Sequence, residues 1–208
     1  MYYSCSVLSK KKRFVAMQRL VLASSSPYRR NLLARLGIPF ESASPEIDES
    51  PLPGETPGAT AMRLAQDKSK ALAPRFPAAL IVGSDQVAEL DARALGKPLT
   101  HENAMLQLRA CSGRSVEFHT GLCLLDSATG AKQTAVASNR VRFRNLADDE
   151  IERYLNREQP YDCTGSAKAD AYGIVLIESI EGDDPHALIG LPLIRLVDML
   201  RRAGIVLP

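Results

Sequence analysis

The pattern of apolar and polar positions along the chain predicts alternating strands and helices. Short apolar runs that end in turn residues predict buried strands. These strands cover the segments 18–24, 38–46, 78–90 and 172–182. Two longer segments, 115–126 and 131–144, predict a pair of strands connected at 127–130.

Helices are predicted where apolar residues recur every three or four positions. They cover the segments from Ser26 to Gly37, 60–72, 101–113, 147–156 and 191–204. In the first helix Ser26 is suited to the N-cap and Pro27 to the first helical position, and Gly37 is suited to ending it. Because strands and helices interleave without repeats or linkers, the sequence predicts one α/β domain with a mixed sheet.

The amino-terminal segment shows no such periodicity. Residues 1–17 contain a basic run without the apolar segment of a signal peptide, so they predict a disordered tail before a domain at 18–208. Met17 directly precedes the first strand and is an alternative start. No apolar run approaches the roughly 20 residues that a bilayer requires. We therefore expect a cytoplasmic protein without a membrane partner.

Composition narrows the classes of function. The 208 residues carry a formal net charge of only +2, whereas a dedicated nucleic-acid binder has a strong basic excess. Local basic clusters could still bind a small polyanion. The histidines show no i, i+4 pair and the cysteines no zinc spacing, which predicts reduced thiols and no histidine-based metal site. The cysteines are Cys5, Cys111, Cys123 and Cys163.

Two segments carry candidate chemistry. The sequence ASSSPYRR (23–30) places hydroxyl groups and Arg29 at a helix amino terminus, which suits an anion-binding site. The alternative is a capped helix whose basic first turn is solvated. The sequence GSDQV (83–87) places Asp85 inside an apolar strand. A buried carboxylate is costly unless it pairs with a cation or faces a cleft. The alternative is that Asp85 caps a turn.

Further charged and Gly-rich segments indicate a ligand site only when they are considered together. Lys68 and Lys97 would each be ordinary surface lysines if considered alone. The acidic segment PEIDE (45–49) adds carboxylates, and carboxylates near bound phosphates imply a divalent cation. The Gly-rich segment 161–173 suits either a loop around a ligand or an ordinary turn.

These segments occur in an order that resembles a known family. Between about Leu20 and Ala203 the following segments occur in order: LASSSPYRR, PEIDE, LAQDKSKA, GSDQV, GKP, CSGR, CTGSAKADAYGI, IEG and GLPLI. Each motif is weak alone, but the ordered set is similar to the Maf-like nucleoside triphosphate pyrophosphatases. Tyr28, Gln86 and Asp170 look most like the branch that acts on 7-methyl-GTP.

The resemblance implies an elongated α/β fold like that of inosine triphosphatase, with a long mixed sheet and a central cleft. It also implies hydrolysis of an α–β phosphoanhydride, a Mg²⁺ or Mn²⁺ cofactor and a homodimer. Asp85 is then the base that activates water. The metal ligands are Asp48, Glu49 and Asp85; the triphosphate ligands are Ser24, Arg29, Lys68 and Lys97; the residues that read the nucleobase are Tyr28, Gln86 and Asp170.

Two alternatives stay open at this point. The chain could be a regulator of septation or cell growth that binds a nucleotide without turning it over. It could also be a general inosine triphosphatase, which shares the chemistry but lacks the branch motifs. Release of diphosphate from a panel of nucleoside triphosphates separates an enzyme from a regulator.

Overall fold

The computed structural model describes residues 18–207. The predicted tail and Met17 lie outside the described residues. The strands are β1 (Arg19–Ala23), β2 (Glu41–Ala43), β3 (Ala79–Leu90), β4 (Arg93–Leu95), β5 (Ser115–Asp126), β6 (Lys132–Phe143) and β7 (Ile177–Gly182). The helices are α1 (Pro27–Ala34), α2 (Pro57–Leu72), α3 (His101–Cys111), α4 (Asp148–Glu158) and α5 (Leu193–Arg202).

All seven strands form one sheet in the order β2-β1-β3-β5-β6-β7, with β4 paired to β3. β1 runs parallel to both β2 and β3, and the remaining pairs are antiparallel. The predicted α/β class with a mixed sheet is therefore confirmed. None of the helices in the described range has the length and apolarity that a bilayer-spanning helix requires.

The central strand β3 extends well beyond its parallel neighbour β1. The β1 pairing covers only Ala79 to Val82 of β3, and β4 joins β3 again from Ala88. The polar segment 83–87 therefore has β5 on one side, and no strand within residues 18–207 pairs with it on the other. Ligands of α/β sheets bind in crevices beyond the carboxyl ends of parallel strands, and the carboxyl end of β1 lies at this opening.

Helix α2 packs closely on the sheet because two strand residues are glycines. A Cβ atom at Gly83 would lie 2.0 Å from the carbonyl oxygen of Ala65, and one at Gly121 would lie 2.1 Å from that of Ala61. Lys68 is on the same helix face as Ala61 and Ala65, because residues three and four apart are neighbours on a helix. The close packing brings Lys68 over the central strand.

Three predicted segments differ from the structure. The strand predicted at 38–46 is limited to Glu41–Ala43, because Ile38 and Phe40 pack into an apolar cluster instead of extending the sheet. The turn predicted after β3 is followed by the short strand β4. Asp91 and Ala92 both have positive φ, at 52° and 61°, as a tight two-residue hairpin requires.

The strand predicted at 172–182 begins only at Ile177, because Tyr172–Leu176 forms a 3-10 turn. Gly173 approaches the backbone of Lys168 so closely that a Cβ atom would lie 2.5 Å from the Lys168 carbonyl oxygen. This contact folds the apolar run back over the preceding loop.

Candidate active site

A cleft of about 760 Å³ opens beside the polar segment of β3. That volume is typical of a small-molecule site. It is lined by all of the residues predicted for catalysis, metal, phosphate or base except Asp48. The predicted residues that line it are Ser24, Tyr28, Arg29, Glu49, Lys68, Asp85, Gln86, Lys97 and Asp170. The fold thus brings together side chains from α1, α2, β3 and four loops, the first of which directly follows β1.

Asp85 is a buried carboxylate with cationic neighbours. Asp85 is 8% exposed. Its Oδ1 atom lies 2.6 Å from Lys68 Nζ and 4.0 Å from Arg29 Nη2. Burial of an unpaired carboxylate would be costly, and these two cations offset that cost. Asp85 lies within β3 and pairs with a cation, so the alternative of a turn cap does not describe it.

The Lys68 ammonium is shared between two carboxylates. Its Nζ lies 2.8 Å from Glu49 Oε1 as well as 2.6 Å from Asp85 Oδ1, and the lysine side chain is 7% exposed. Partial burial acts to raise the pKa of Glu49, but the hydrogen bond and charge of Lys68, with Lys97 and Arg29 beyond it, lower that pKa overall. Glu49 is therefore ionised at neutral pH.

The amino terminus of α1 forms the next part of the wall. Ser26 Oγ accepts a hydrogen bond from Arg29 N at 3.4 Å, and the buried Ser24 Oγ accepts one from Ser26 N at 3.1 Å. Arg29 Nε donates to the carbonyl oxygen of Gly190 at 2.8 Å. Burial lowers the pKa of Arg29, while the charges of Asp85 and Glu49 act in the opposite direction. The guanidinium still carries its charge at neutral pH.

Tyr28 and Cys163 lie together at another part of the cleft, with the Cys163 sulfur 4.0 Å from the Tyr28 hydroxyl. Burial, with Cys163 and Asp162 nearby, raises the pKa of Tyr28, so the phenol is neutral. Burial and then the charge of Asp162 raise the pKa of Cys163 to about 12. A thiol this weakly acidic is a poor nucleophile at neutral pH.

The loop that carries Asp170 is fixed to α4. Lys168 N donates to the hydroxyl of Tyr154 at 3.0 Å, and Lys168 Nζ donates to the carbonyl oxygen of Glu158 at 3.0 Å. Asp170 itself is exposed and lines the cleft. Its carboxylate is therefore available to a ligand.

Gln86 presents its side-chain amide in one orientation. The two hydrogens of its Nε2 are shared among three acceptors, namely Thr120 Oγ1 at 3.0 Å and the carbonyl oxygens of Ala187 at 2.8 Å and Leu188 at 3.1 Å. These acceptors bind the amino end of the side chain. The amide oxygen is left as the group that Gln86 can offer to a ligand.

Of the three carboxylates predicted to hold a metal, Glu49 and Asp85 line the cleft and Asp48 does not. Asp48 Oδ1 accepts from Ser50 N at 2.9 Å, which lowers the pKa of Asp48, and this exposed residue does not line the cleft. Between residues 18 and 207 no group of three or more His, Cys, Asp or Glu side chains has the geometry of a metal site. Glu49 and Asp85 remain as two oxygen donors that fit a hard divalent cation when phosphate oxygens complete the ligand set.

Several residues that hold the lining side chains in place were not assigned roles from the sequence. Thr120, Ala187 and Leu188 hold Gln86, and Gly190 holds Arg29. The GLPLI segment that starts at Gly190 belongs to the ordered motifs and was the only signal for this loop. Thr120 had no signal, because its role depends on the pairing of β5 with β3.

A sheet of this topology with a cationic, carboxylate-containing cleft at its central strand defines an α/β protein built to bind an anionic ligand. Residues 19–203 match the family model described as Maf-like protein. The match covers nearly the whole described chain, and the protein therefore belongs to the Maf-like family.

Similar proteins carry one functional name. A protein of Methylobacillus flagellatus named 7-methyl-GTP pyrophosphatase is 58% identical over 189 residues, which cover 91% of this chain and 98% of that protein. Proteins with the same name from Nitrosococcus oceani and Cupriavidus metallidurans are 55% and 57% identical over 185 residues, covering 89% of this chain and 93% of each of them.

Proposed function

We propose that this protein is a nucleoside triphosphate pyrophosphatase that hydrolyses 7-methyl-GTP to 7-methyl-GMP and diphosphate. The observation that carries the proposal is the buried Asp85 carboxylate beside Lys68 and Arg29, in a cleft large enough for a nucleotide. Relatives that are 55–58% identical bear the name of this activity.

The reaction needs an activated water, a neutralised polyphosphate and a fixed geometry, because phosphoryl transfer is governed by positioning and electrostatics. Asp85 accepts the proton of the attacking water. Lys68 holds the Oδ1 atom of Asp85 at 2.6 Å, which fixes the position of the carboxylate. Arg29, Lys68 and Lys97 offset the charge that develops on the phosphate oxygens.

Glu49 and Asp85 are the residues that would hold a divalent Mg²⁺ or Mn²⁺ ion. Such an ion would neutralise phosphate charge and polarise the bond that breaks. Asp48 is not part of this proposal, because its carboxylate accepts a hydrogen bond from the backbone of Ser50.

A homodimer and a cytoplasmic location also belong to the proposal. The unpaired state of Cys111, Cys123 and Cys163 is consistent with a reducing compartment.

The phosphate-binding role of Arg29 and Lys97 predicts a loss of affinity in their alanine variants. Each charge-assisted contact contributes roughly 1.5–3 kcal/mol, so Arg29→Ala and Lys97→Ala should each weaken diphosphate binding at least tenfold by titration calorimetry. Arg30→Ala is the matched control, because Arg30 is exposed and does not line the cleft. Equal diphosphate affinities in all three variants would contradict the proposed phosphate contacts of Arg29 and Lys97.

The base end of the cleft predicts a preference for 7-methyl-GTP over GTP. Methylation at N7 gives the base a positive charge, which an aromatic face attracts by cation–π interaction and a carboxylate attracts directly. Tyr28 and Asp170 provide these two groups. Stacking on an aromatic side chain contributes roughly 1–3 kcal/mol per base, so Tyr28→Ala and Asp170→Asn should each reduce the preference.

The measurement is diphosphate release from a nucleotide panel, expressed as the ratio of kcat/KM for 7-methyl-GTP over GTP. A wild type without preference, or two variants with an unshifted ratio, would contradict this assignment of the base pocket. The same panel tests the alternative of a nucleotide-binding regulator. Binding of nucleotides without any release of diphosphate would favour the regulator.

A further inference from the structure

Three backbone carbonyl groups lie on a loop whose residues Leu188 and Gly190 line one side of the cleft. We name the carbonyl oxygens of Ala187, Leu188 and Gly190 the carbonyl shelf. Gln86 and Thr120 donate to its first part, with Thr120 Oγ1 lying 2.9 Å from the Ala187 oxygen. The Gly190 oxygen accepts from Arg29 Nε at 2.8 Å, and Ser84 Oγ lies 2.9 Å from it. The shelf therefore touches residues predicted to bind both the phosphates and the base.

The shelf fixes which end of Gln86 faces the ligand. The single hydroxyl hydrogen of Thr120 is donated to Ala187, so the Thr120 oxygen can only accept from Gln86. A reversed amide would place the Gln86 oxygen against the carbonyl oxygens of Ala187 and Leu188. The orientation with the amide oxygen toward the cleft is thus set by the shelf, not by Gln86 itself.

The shelf is held in place by Asp184, which is 1% exposed. One carboxylate oxygen accepts from His186 N at 3.1 Å, and the other accepts from Ile194 N at 2.8 Å. Ile194 lies in the first turn of α5, where a carboxylate also interacts favourably with the helix dipole. Asn139 Nδ2 donates to the Asp184 backbone carbonyl at 3.3 Å. Asp184 therefore ties both ends of the shelf loop together.

We infer that Asp184 is a positioning residue for the active site. By locking the carbonyl shelf, it keeps the Arg29 guanidinium facing Asp85 and keeps the Gln86 amide oxygen facing the cleft. The inference deepens the proposed function, since its catalytic meaning depends on that function. Its effect on anion binding, however, is measurable without turnover.

Gly190 gives the shelf its close contact with Arg29. Its φ is +111°, a conformation that residues with a side chain rarely adopt, and a Cβ atom would lie 3.3 Å from Arg29 Nε. Gly190→Ala therefore disturbs Arg29 directly while leaving the Asp184 carboxylate unchanged. This gives a second, independent way to move the shelf.

The test is diphosphate binding, measured by titration calorimetry at a temperature where each variant is folded. Asp184→Asn replaces one acceptor oxygen by an amino group that faces backbone N–H groups. We expect it to lower diphosphate affinity roughly tenfold, as loss of one charge-assisted contact would. In the Arg29→Ala background Asp184→Asn should cause no further loss, because residues that act through one another are not additive. Asp198→Asn, an exposed acid of α5, is the matched control.

A folded Asp184→Asn variant with wild-type diphosphate affinity would overturn the inference, and so would losses that multiply in the double variant. A purely structural role would lower the melting temperature without changing diphosphate affinity. If Asp184→Asn does not fold, Gly190→Ala decides the question, and an unchanged affinity there also overturns it. Failure of the proposed function would appear separately, as wild-type diphosphate binding without diphosphate release from any nucleotide.

Discussion

Replacement of Asp85 by Asn is expected to lower turnover by at least about 100-fold while preserving the fold. The amide is nearly isosteric with the carboxylate but cannot accept a proton from water. Its oxygen can still accept the hydrogen bond from Lys68, and Glu49 still neutralises the ammonium at 2.8 Å, so the buried lysine keeps partners. The measurement is steady-state diphosphate release, with the melting temperature as the test of folding.

Asp67→Asn is the matched control for this substitution. Asp67 is the residue before Lys68 on α2, but its carboxylate pairs with Arg63 at 3.4 Å on the exposed side of the helix. The control should keep near-normal turnover. If Asp85→Asn is folded and retains near-normal turnover as well, Asp85 is not the base and the proposed mechanism is wrong.

Replacement of Gly121 by Ala is expected to destabilise the protein more than most substitutions of one methyl group. The added Cβ would lie 2.1 Å from the carbonyl oxygen of Ala61 and 2.5 Å from its carbon, so α2 must move away from the sheet. Overpacking of this kind costs typically about 1–3 kcal/mol. In a domain of this size each kcal/mol lowers the melting temperature by roughly 2–4 °C.

The displacement of α2 should also separate Lys68 from Asp85. Lys68 lies on α2, so its ion pair with Asp85 requires the same close approach of this helix to the sheet as the packing at Gly121. Gly121→Ala is therefore expected to lower turnover even at temperatures where it is folded. Gly58→Ala is the control on the same helix, because among residues 18–207 its Cβ would meet only the His119 ring, at an ordinary contact distance of 3.8 Å. A melting temperature of Gly121→Ala equal to that of Gly58→Ala would contradict the close packing of α2.

The central strands and most of the residues that line the cleft could be predicted from the sequence. β3, β5 and β6 carry long apolar patterns with clear turns between them, and the structure has them within one or two residues of the predicted bounds. Asp85 stood out because a carboxylate in an apolar strand needs a partner. The cations were found because they lie in short segments that resemble a known family in order.

The parts that were not predicted depend on contacts between distant segments. The role of Thr120 follows from the register in which it faces Gln86 across β3 and β5, which no local pattern encodes. The exclusion of Asp48 from the cleft follows from a turn in which its own side chain accepts from Ser50 N. The late start of β7 follows from the contact between Gly173 and Lys168. Local periodicity contains none of this information.

The shared ammonium of Lys68 has a consequence for the order in which ligands assemble. Glu49 and Asp85 already have a positive partner within hydrogen-bond distance, so these carboxylates need no bound ion for the chain to fold. A divalent cation that approaches them alone meets the repulsion of the ammonium. A triphosphate reverses that balance, because its oxygens attract both the cation and Lys68. Cation and nucleotide are therefore expected to bind cooperatively, each raising the affinity for the other by the same factor, as thermodynamic reciprocity requires.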